Sequence, residues 1–250
     1  MRDWITQNAV KARGPKSMRW LYSLLGVWLL PAAAVIARAW CNLMGNWWSV
    51  PDGGGPYAIL ALAGGFSLWL VVALLLPAPA RIYVLAHEMT HALWGAVLGA
   101  RLCGLRVSRA GGYVKLSEHN FLVALAPYFF PFYTVLILLA YWVYAWFRGP
   151  DAGRWIWLGA IGASLGFHYT FTLHALFQRQ SDLRGYGWIF PYSLIFCGNL
   201  LGLLLLTALL SGAPLPVWTR QLALDAQTVW TAIRQAAGGA WQAARNLAGG

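Results

Sequence analysis

Residues 81–100, RIYVLAHEMTHALWGAVLGA, form an apolar segment with two histidines and a glutamate within five residues. An Arg, Lys or Asp at the centre of a membrane-spanning segment costs roughly 2.5–3.5 kcal/mol on insertion. Keeping ionisable side chains here therefore requires a compensating interaction. The spacing His87-Glu88-x-x-His91 indicates a bound metal ion as that interaction.

The composition around this stretch is typical of a multi-pass membrane protein. Of the 250 residues, 60% are hydrophobic and 10% are charged, whereas soluble domains carry about 25% charged residues. The net charge of +11 would suit a nucleic-acid-binding protein. Basic residues flanking apolar spans explain that charge equally well, so we expect a lipid bilayer and no nucleic acid as partner. The cysteines Cys41, Cys103 and Cys197 are too far apart in sequence to form a metal-binding or redox pair.

Apolar runs of about 20 residues predict six transmembrane helices. The predicted spans are residues 20–39, 57–76, 82–99, 121–147, 155–177 and 188–210. Pro31 interrupts the first run, which is either a span or a signal peptide with a cleavage-like sequence at Ala37-Arg38-Ala39. In the fourth run, residues 126–131 contain two prolines and predict a kink.

Three regions follow from this division of the chain. Residues 1–19 form a basic tail, residues 20–210 form the membrane domain with its core at 82–199, and residues 215–247 form an amphipathic helix in the membrane interface. We expect that helix to break at Gly238-Gly239, with Asp225 away from its apolar face. The apolar face comprises Trp218, Leu222, Val229 and Ile233.

The segment after the histidine helix predicts a β-hairpin. Residues 102–116 read LCGLRVSRAGGYVKL, which is two short runs of β-type residues separated by Ser-Arg-Ala-Gly-Gly. The predicted fold is thus an all-α polytopic membrane protein with one short hairpin.

The spacing of the two histidines explains how a metal would be held. Residues four apart on a helix point the same way, so His87 and His91 can both present a nitrogen to one ion. Glu88, next to the first ligand, is placed to take a proton from water. Zn²⁺ is the metal typical of this motif, and a catalytic zinc site has three protein ligands and one open position.

Residue chemistry alone leaves the third ligand open. Asp182 either completes the site or pairs with Arg179 or Arg184 at the membrane surface, and His174 is a competing ligand. His168 lies six residues before His174 and faces another side of the same helix, and Glu118-His119 reads as interfacial. The remaining aspartates are expected to be solvated in tails or turns; they are Asp3, Asp52, Asp151 and Asp225.

The stretches HEMTHALWGAVLGARLCGLRVSRAGGYVKL, NFLVALAPYFFPFY and FHYTFTLHALFQRQSDLRGYG resemble small members of the site-2 protease family of intramembrane zinc peptidases. The resemblance covers residues 82–199. It implies one Zn²⁺ held by His87, His91 and Asp182, with Glu88 as the catalytic base. Asp182 stands in Gln180-Ser181-Asp182-Leu183 instead of the family's Asn-Pro-x-x-x-x-Asp-Gly.

The function implied is hydrolysis of peptide bonds in a transmembrane protein substrate, at the plasma (inner) membrane of a bacterium. The hairpin at Gly111, Gly112 and Tyr113 would bind the substrate as an added strand. The alternative is a catalytically inactive membrane scaffold or binding protein of the same fold.

Two indications of the orientation in the membrane contradict each other. With six spans, the distribution of Lys and Arg places the hairpin and Asp182 outside the cell, whereas the family has a cytoplasmic catalytic face. One hypothesis removes the conflict: the first segment, interrupted by Pro31, does not span.

Overall fold

Eight α-helices and one β-hairpin form the part of the chain that the computed structural model describes, which is residues 18–50, 54–108, 111–178, 182–183 and 186–248. A 3-10 turn, Ala126–Tyr128, joins the fourth and fifth helices. In chain order the elements are α1 (Arg19–Trp48), α2 (Gly54–Leu75), α3 (Ala80–Val97), β1 (Leu102–Ser108), β2 (Gly111–Leu116), α4 (Phe121–Leu125), α5 (Phe132–Arg148), α6 (Arg154–Leu176), α7 (Ile189–Ser211) and α8 (Leu215–Ala248).

Three of these helices, α1, α2 and α7, are long and apolar enough to cross a membrane. The pair α4–α5 becomes a fourth candidate if it is counted as one span, and its axis bends by 76° at the 3-10 turn. The mostly helical fold, the hairpin and the predicted kink are therefore confirmed. By length and composition, the described residues support three or four spans where the sequence predicted six.

Helix α1 does not end where the sequence predicted. It continues through Pro31 and past Ala39 to Trp48. A proline is tolerated within a membrane helix when neighbouring groups satisfy the freed backbone. The extension is stabilised by packing, because Leu43 is buried against Leu204 and Ala208 of α7 and Trp47 is buried against Ala58 and Leu158.

Helices α1 and α7 run parallel to each other. At one end, the rings of Tyr22 and Phe190 lie 5.2 Å apart. Eighteen residues further along α1, the indole Nε1 of Trp40 donates to Thr207 Oγ1 at 3.1 Å, seventeen residues further along α7. Both helices therefore start at the same end of the bundle.

Helices α2 and α6 are also parallel. Tyr57 meets Trp155 with ring centroids 6.3 Å apart, and Trp69 Nε1 donates to Thr170 Oγ1 at 3.0 Å. Between these contacts, a Cβ added to Gly162 would collide with the carbonyl of Leu62. This glycine serves close packing within the chain, as small residues do between membrane helices.

These two parallel pairs contradict six spans of alternating direction, in which the first and sixth spans, and likewise the second and fifth, would be antiparallel. Helix α5 runs antiparallel to α6, since Tyr133 contacts Phe167 and Tyr144 contacts Trp157. Because α2 is parallel to α6 and α5 is antiparallel to α6, α2 and α5 run in opposite directions. The elements between them, which are α3, the hairpin and α4, therefore start and finish at the same end of the bundle.

The elements from α3 to the 3-10 turn gather where α1 and α7 begin and α6 ends. We name this region the site end, and its buried cluster contains Ala124, Leu125, Tyr128, Ala175, Tyr186, Phe190 and Ile195, with Tyr22, Tyr83 and Phe121 packed against it. The opposite region, where Trp47, Ala58 and Leu158 cluster, is the far end.

Helix α8 differs from the prediction in two respects. It is continuous through Gly238-Gly239 to Ala248. Asp225, expected to be solvated, is only 2% exposed, because it lies on the same side of α8 as Trp218 and Leu222, which pack against α1 and α7.

Candidate metal centre

Helix α3 brings the two histidines of the motif together. His87 and His91 lie one turn apart, and their Nε2 atoms are 3.2 Å from each other. Two ligand atoms bound to one zinc ion at tetrahedral angles lie about 3.3–3.4 Å apart. The spacing of the two nitrogens therefore fits a shared ion.

Asp182 joins this pair from the link between α6 and α7. Its Oδ2 lies 3.6 Å from His87 Nε2 and 3.9 Å from His91 Nε2. A circle through these three atoms has a radius of about 2.1 Å, which equals a Zn–N or Zn–O bond of about 2.0–2.2 Å. Among the residues that the structure describes, these three form a group that could hold a metal ion.

A backbone carbonyl fixes the orientation of His91. Its Nδ1 lies 2.8 Å from the carbonyl oxygen of Val123 in α4. A carbonyl only accepts hydrogen bonds, so Nδ1 carries the proton and the lone pair of the neutral ring is on Nε2, the atom that faces His87 and Asp182. A second hydrogen bond of this kind is typical of histidine ligands to metals. For His87, the nearest partner of Nδ1 is the Tyr83 hydroxyl, at a long 3.5 Å.

The Asp182 carboxylate is held in its charged form. Burial would raise the pKa of this carboxyl, but the hydrogen bond with His87, the two imidazoles and the hydrogen bond from Tyr128 together hold the pKa below its ordinary value. The Tyr128 hydroxyl donates to Oδ2 at 3.1 Å. A charged carboxylate is the form that binds a metal ion.

Glu88 is outside the group of three and lies beneath the hairpin. Its side chain is 9% exposed. A Cβ added to Gly112 would lie 2.8 Å from Glu88 Cγ and 2.9 Å from Val84 Cγ1. Only a glycine lets strand β2 approach the motif helix this closely.

The hairpin has the predicted location. Strands β1 and β2 are antiparallel, with Val107 opposite Gly112 and Arg106 opposite Tyr113. Within the described residues the sheet has two strands, so each strand has one edge without a strand partner. Arg109 and Ala110, at the turn, lie outside the described residues. Gly111, Gly112 and Tyr113 thus lie on a strand that passes directly over Glu88, although their binding of substrate stays a prediction.

The competing ligand lies elsewhere. The His174 side chain is exposed and its Nε2 is 2.7 Å from Gln178 Nε2, and it does not belong to the candidate metal group. His168 is 3.2 Å from Asn199 Oδ1 through its Nε2. Arg179 and Arg184, the alternative partners of Asp182, lie outside the described residues.

Sequence reasoning missed several residues that surround the site. Tyr83 precedes His87 by one helical turn, and that spacing could have identified it. Val123 lies in α4 and Tyr128 in the 3-10 turn, and both reach the site through contacts with residues far from them in sequence. His119, expected to be interfacial, lies with its ring 6.5 Å from that of His91, and burial lowers its pKa.

Comparisons of the chain with protein-family models, with curated proteins and with solved structures found no match. The fold and the site therefore define a class by geometry: a helical protein of membrane type with a candidate three-ligand metal centre at one end of its bundle.

Proposed function

We propose that this protein is an intramembrane zinc metallopeptidase that hydrolyses peptide bonds of membrane-embedded proteins. The observation that carries the proposal is the arrangement of His87 Nε2, His91 Nε2 and Asp182 Oδ2, which lie at metal-ligand spacing beside the acid of a His-Glu-x-x-His motif. A zinc ion bound there would supply the Lewis acid that brings the pKa of a water molecule to about 7.

Glu88 is the proposed general base. It is adjacent in sequence to one ligand and is not itself part of the ligand group. It would take a proton from the attacking water and deliver it to the nitrogen of the leaving amine. Its burial beneath β2 excludes bulk water from the carboxylate.

Strand β2 is the proposed binding element for substrate. A helical substrate hides its carbonyls in its own hydrogen bonds, so it has to unwind before hydrolysis. An unwound segment can add as a strand to an open edge of the hairpin. Because Gly112 lies against Glu88, an added strand would pass near the proposed base.

For the membrane topology we propose five crossings. Helices α1, α2, α5 and α7 belong to the candidates named above; α6 is not among them by length and composition, and we include it because it packs parallel to α2. Helix α3, the hairpin and α4 then enter at the site end only. Parallel packing of α1 with α7 and of α2 with α6 supports this count. Most of the 18 Lys and Arg residues then precede or join helices at the site end. These are Arg2, Lys11, Arg13, Lys16, Arg19, Arg81, Arg101, Arg106, Arg109, Lys115, Arg179 and Arg184.

The distribution of positive charge assigns the site end to the cytoplasm. This topology removes the conflict that six spans created, and it does so with α1 as a span. The earlier hypothesis, in which the first segment does not span, is then unnecessary.

Metal analysis of the detergent-purified full-length protein tests the proposal. We expect about one zinc per chain in the wild type and in Glu88→Gln, and almost none in His91→Ala. The same preparations are then assayed for cleavage of a panel of single-span membrane proteins, where only the wild type is active. A wild-type protein that binds no zinc would favour the inactive scaffold.

A further inference from the structure

Two half-buried polar side chains, His168 in α6 and Asn199 in α7, have no part in the proposed chemistry. His168 Nε2 lies 3.2 Å from Asn199 Oδ1. Polar side chains within membrane helices are costly and are commonly retained for function. The groups that this pair contacts indicate its role.

The hydrogen bonds of Asn199 show which atom of the His168–Asn199 pair donates and which accepts. The amide Nδ2 donates to the carbonyl of Tyr128 at 2.9 Å and to the carbonyl of Ile195 at 2.8 Å. Both amide hydrogens are thus used, which makes Oδ1 the acceptor and requires a proton on His168 Nε2. His168 orients Asn199, and Asn199 binds the backbone of Tyr128.

Tyr128 connects this pair to the metal centre. It is 0% exposed, its ring edge packs on His87 at 5.5 Å, and its hydroxyl donates to Asp182 Oδ2. Next to Asn199, a Cβ on Gly198 would lie 2.8 Å from the ring of Phe129. The 3-10 turn that carries Tyr128 is therefore held against α7 by the contact of Phe129 with Gly198 and by the hydrogen bond from Asn199.

We propose that His168, Asn199 and Tyr128 form a positioning chain that holds the Asp182 carboxylate in place for metal binding. The inference rests on the proposed function, since it assumes that Asp182 is a ligand. Asp182 lies in a link between helices, where its own backbone does not fix the side chain as a helix fixes His87 and His91. The hydrogen bond from the Tyr128 hydroxyl to Oδ2 restricts the orientation of the carboxylate.

Removing the phenol hydroxyl is the direct test. The full-length protein is loaded with Co²⁺, whose visible absorption reports the geometry of its ligands. Tyr128→Phe should bind Co²⁺ about 10–100-fold more weakly, as loss of an outer hydrogen bond to a ligand does elsewhere, and its absorption bands should shift. The matched control is Tyr133→Phe, which removes a hydroxyl that donates to the Ile82 carbonyl at 2.8 Å and should leave affinity and spectrum unchanged.

A pair of variants at His168 separates hydrogen bonding from packing. His168→Gln can still donate to Asn199 Oδ1 and should keep the wild-type Co²⁺ spectrum, whereas His168→Leu cannot donate and should shift the spectrum as Tyr128→Phe does. Wild-type affinity and spectrum in Tyr128→Phe would overturn the positioning chain while leaving the metal site intact. Failure of the wild type to bind Co²⁺ or Zn²⁺ would instead overturn the proposed function and this inference with it.

Discussion

At the scale of single residues, the site combines two candidate ligands on one helix with a third from a distant link. The periodicity of the helix places the side chains of His87 and His91 next to each other. The position of Asp182 depends on tertiary contacts with Tyr128 and the histidines. Substitutions at ligand, base and competitor positions should therefore have separable effects.

Glu88→Gln should abolish cleavage without releasing the metal. The amide keeps the size of the side chain but cannot accept the proton, and general-base catalysis contributes about 10²–10⁴-fold. We expect cleavage of a membrane substrate to fall by at least that factor while zinc stays near one per chain. Glu118→Gln is the matched control, because Glu118 is exposed beyond the hairpin. Undiminished proteolysis in Glu88→Gln would refute its role as base.

Asp182→Ala should lower zinc occupancy from about one per chain to near zero, because a catalytic zinc site requires three protein ligands. His174→Ala should leave occupancy unchanged, since His174 is exposed and outside the ligand group. Elemental analysis of the two purified variants distinguishes them. The opposite result would make His174 the third ligand.

At the scale of elements, α8 is attached to α1 through one buried carboxylate. Both oxygens of Asp225 accept from Asn42 Nδ2 at 3.1 Å, Oδ2 accepts from Gln221 at 3.1 Å, and Arg38 Nε lies 3.4 Å from Oδ1. The helix is thus fixed at one point along its length, near Trp218 and Leu222. Beyond residue 229 its described side chains are exposed.

Asp225→Ala should detach α8 from α1. A hydrogen bond to a charged group contributes about 1.5–3 kcal/mol, so we expect a loss of roughly that size in the free energy of unfolding and faster amide hydrogen exchange in α8. Asp151→Ala is the control, because that carboxylate is 91% exposed and 4.0 Å from Arg154, where an ion pair is worth about 0–1 kcal/mol. Equal exchange in α8 of the two variants would show that Asp225 does not hold the helix.

At the scale of the whole molecule, the direction of the helices decides which face carries the site. If α1 and α7 both cross the membrane, as proposed, their parallel pairing requires an odd number of crossings from α1 to α7. Five crossings place the residues 149–153 at the far end and Glu118 at the site end. Six alternating spans would place each of them on the opposite side.

Cysteine labelling in intact cells tests this topology. In a background without the three native cysteines, Asp151→Cys should react with a membrane-impermeant thiol reagent, whereas Glu118→Cys should react only after the membrane is permeabilised. Both positions are exposed on the protein surface, so access depends on the side of the membrane. Exchange of the two results would contradict a cytoplasmic site end.

Elements that depend on the local order of residues could be predicted from the sequence. Apolar runs predicted the helices, the β-type runs flanking Ser-Arg-Ala-Gly-Gly predicted the hairpin, and the i, i+4 spacing placed His87 and His91 side by side. A family resemblance, and not spacing, indicated Asp182 as the third ligand. The number of residues between Asp182 and the motif does not say how far apart they lie in space.

The tertiary structure was needed to show which helices run parallel, where α1 ends, and that Asp225 is buried. It also showed that hydrogen bonds connect Asp182 to Tyr128, Tyr128 to Asn199 and Asn199 to His168. These features depend on contacts between residues far apart in sequence, such as Trp40 with Thr207 and Tyr128 with Asp182. Hydropathy counts how many segments are apolar, but the direction of each segment is decided by the partners against which its side chains pack.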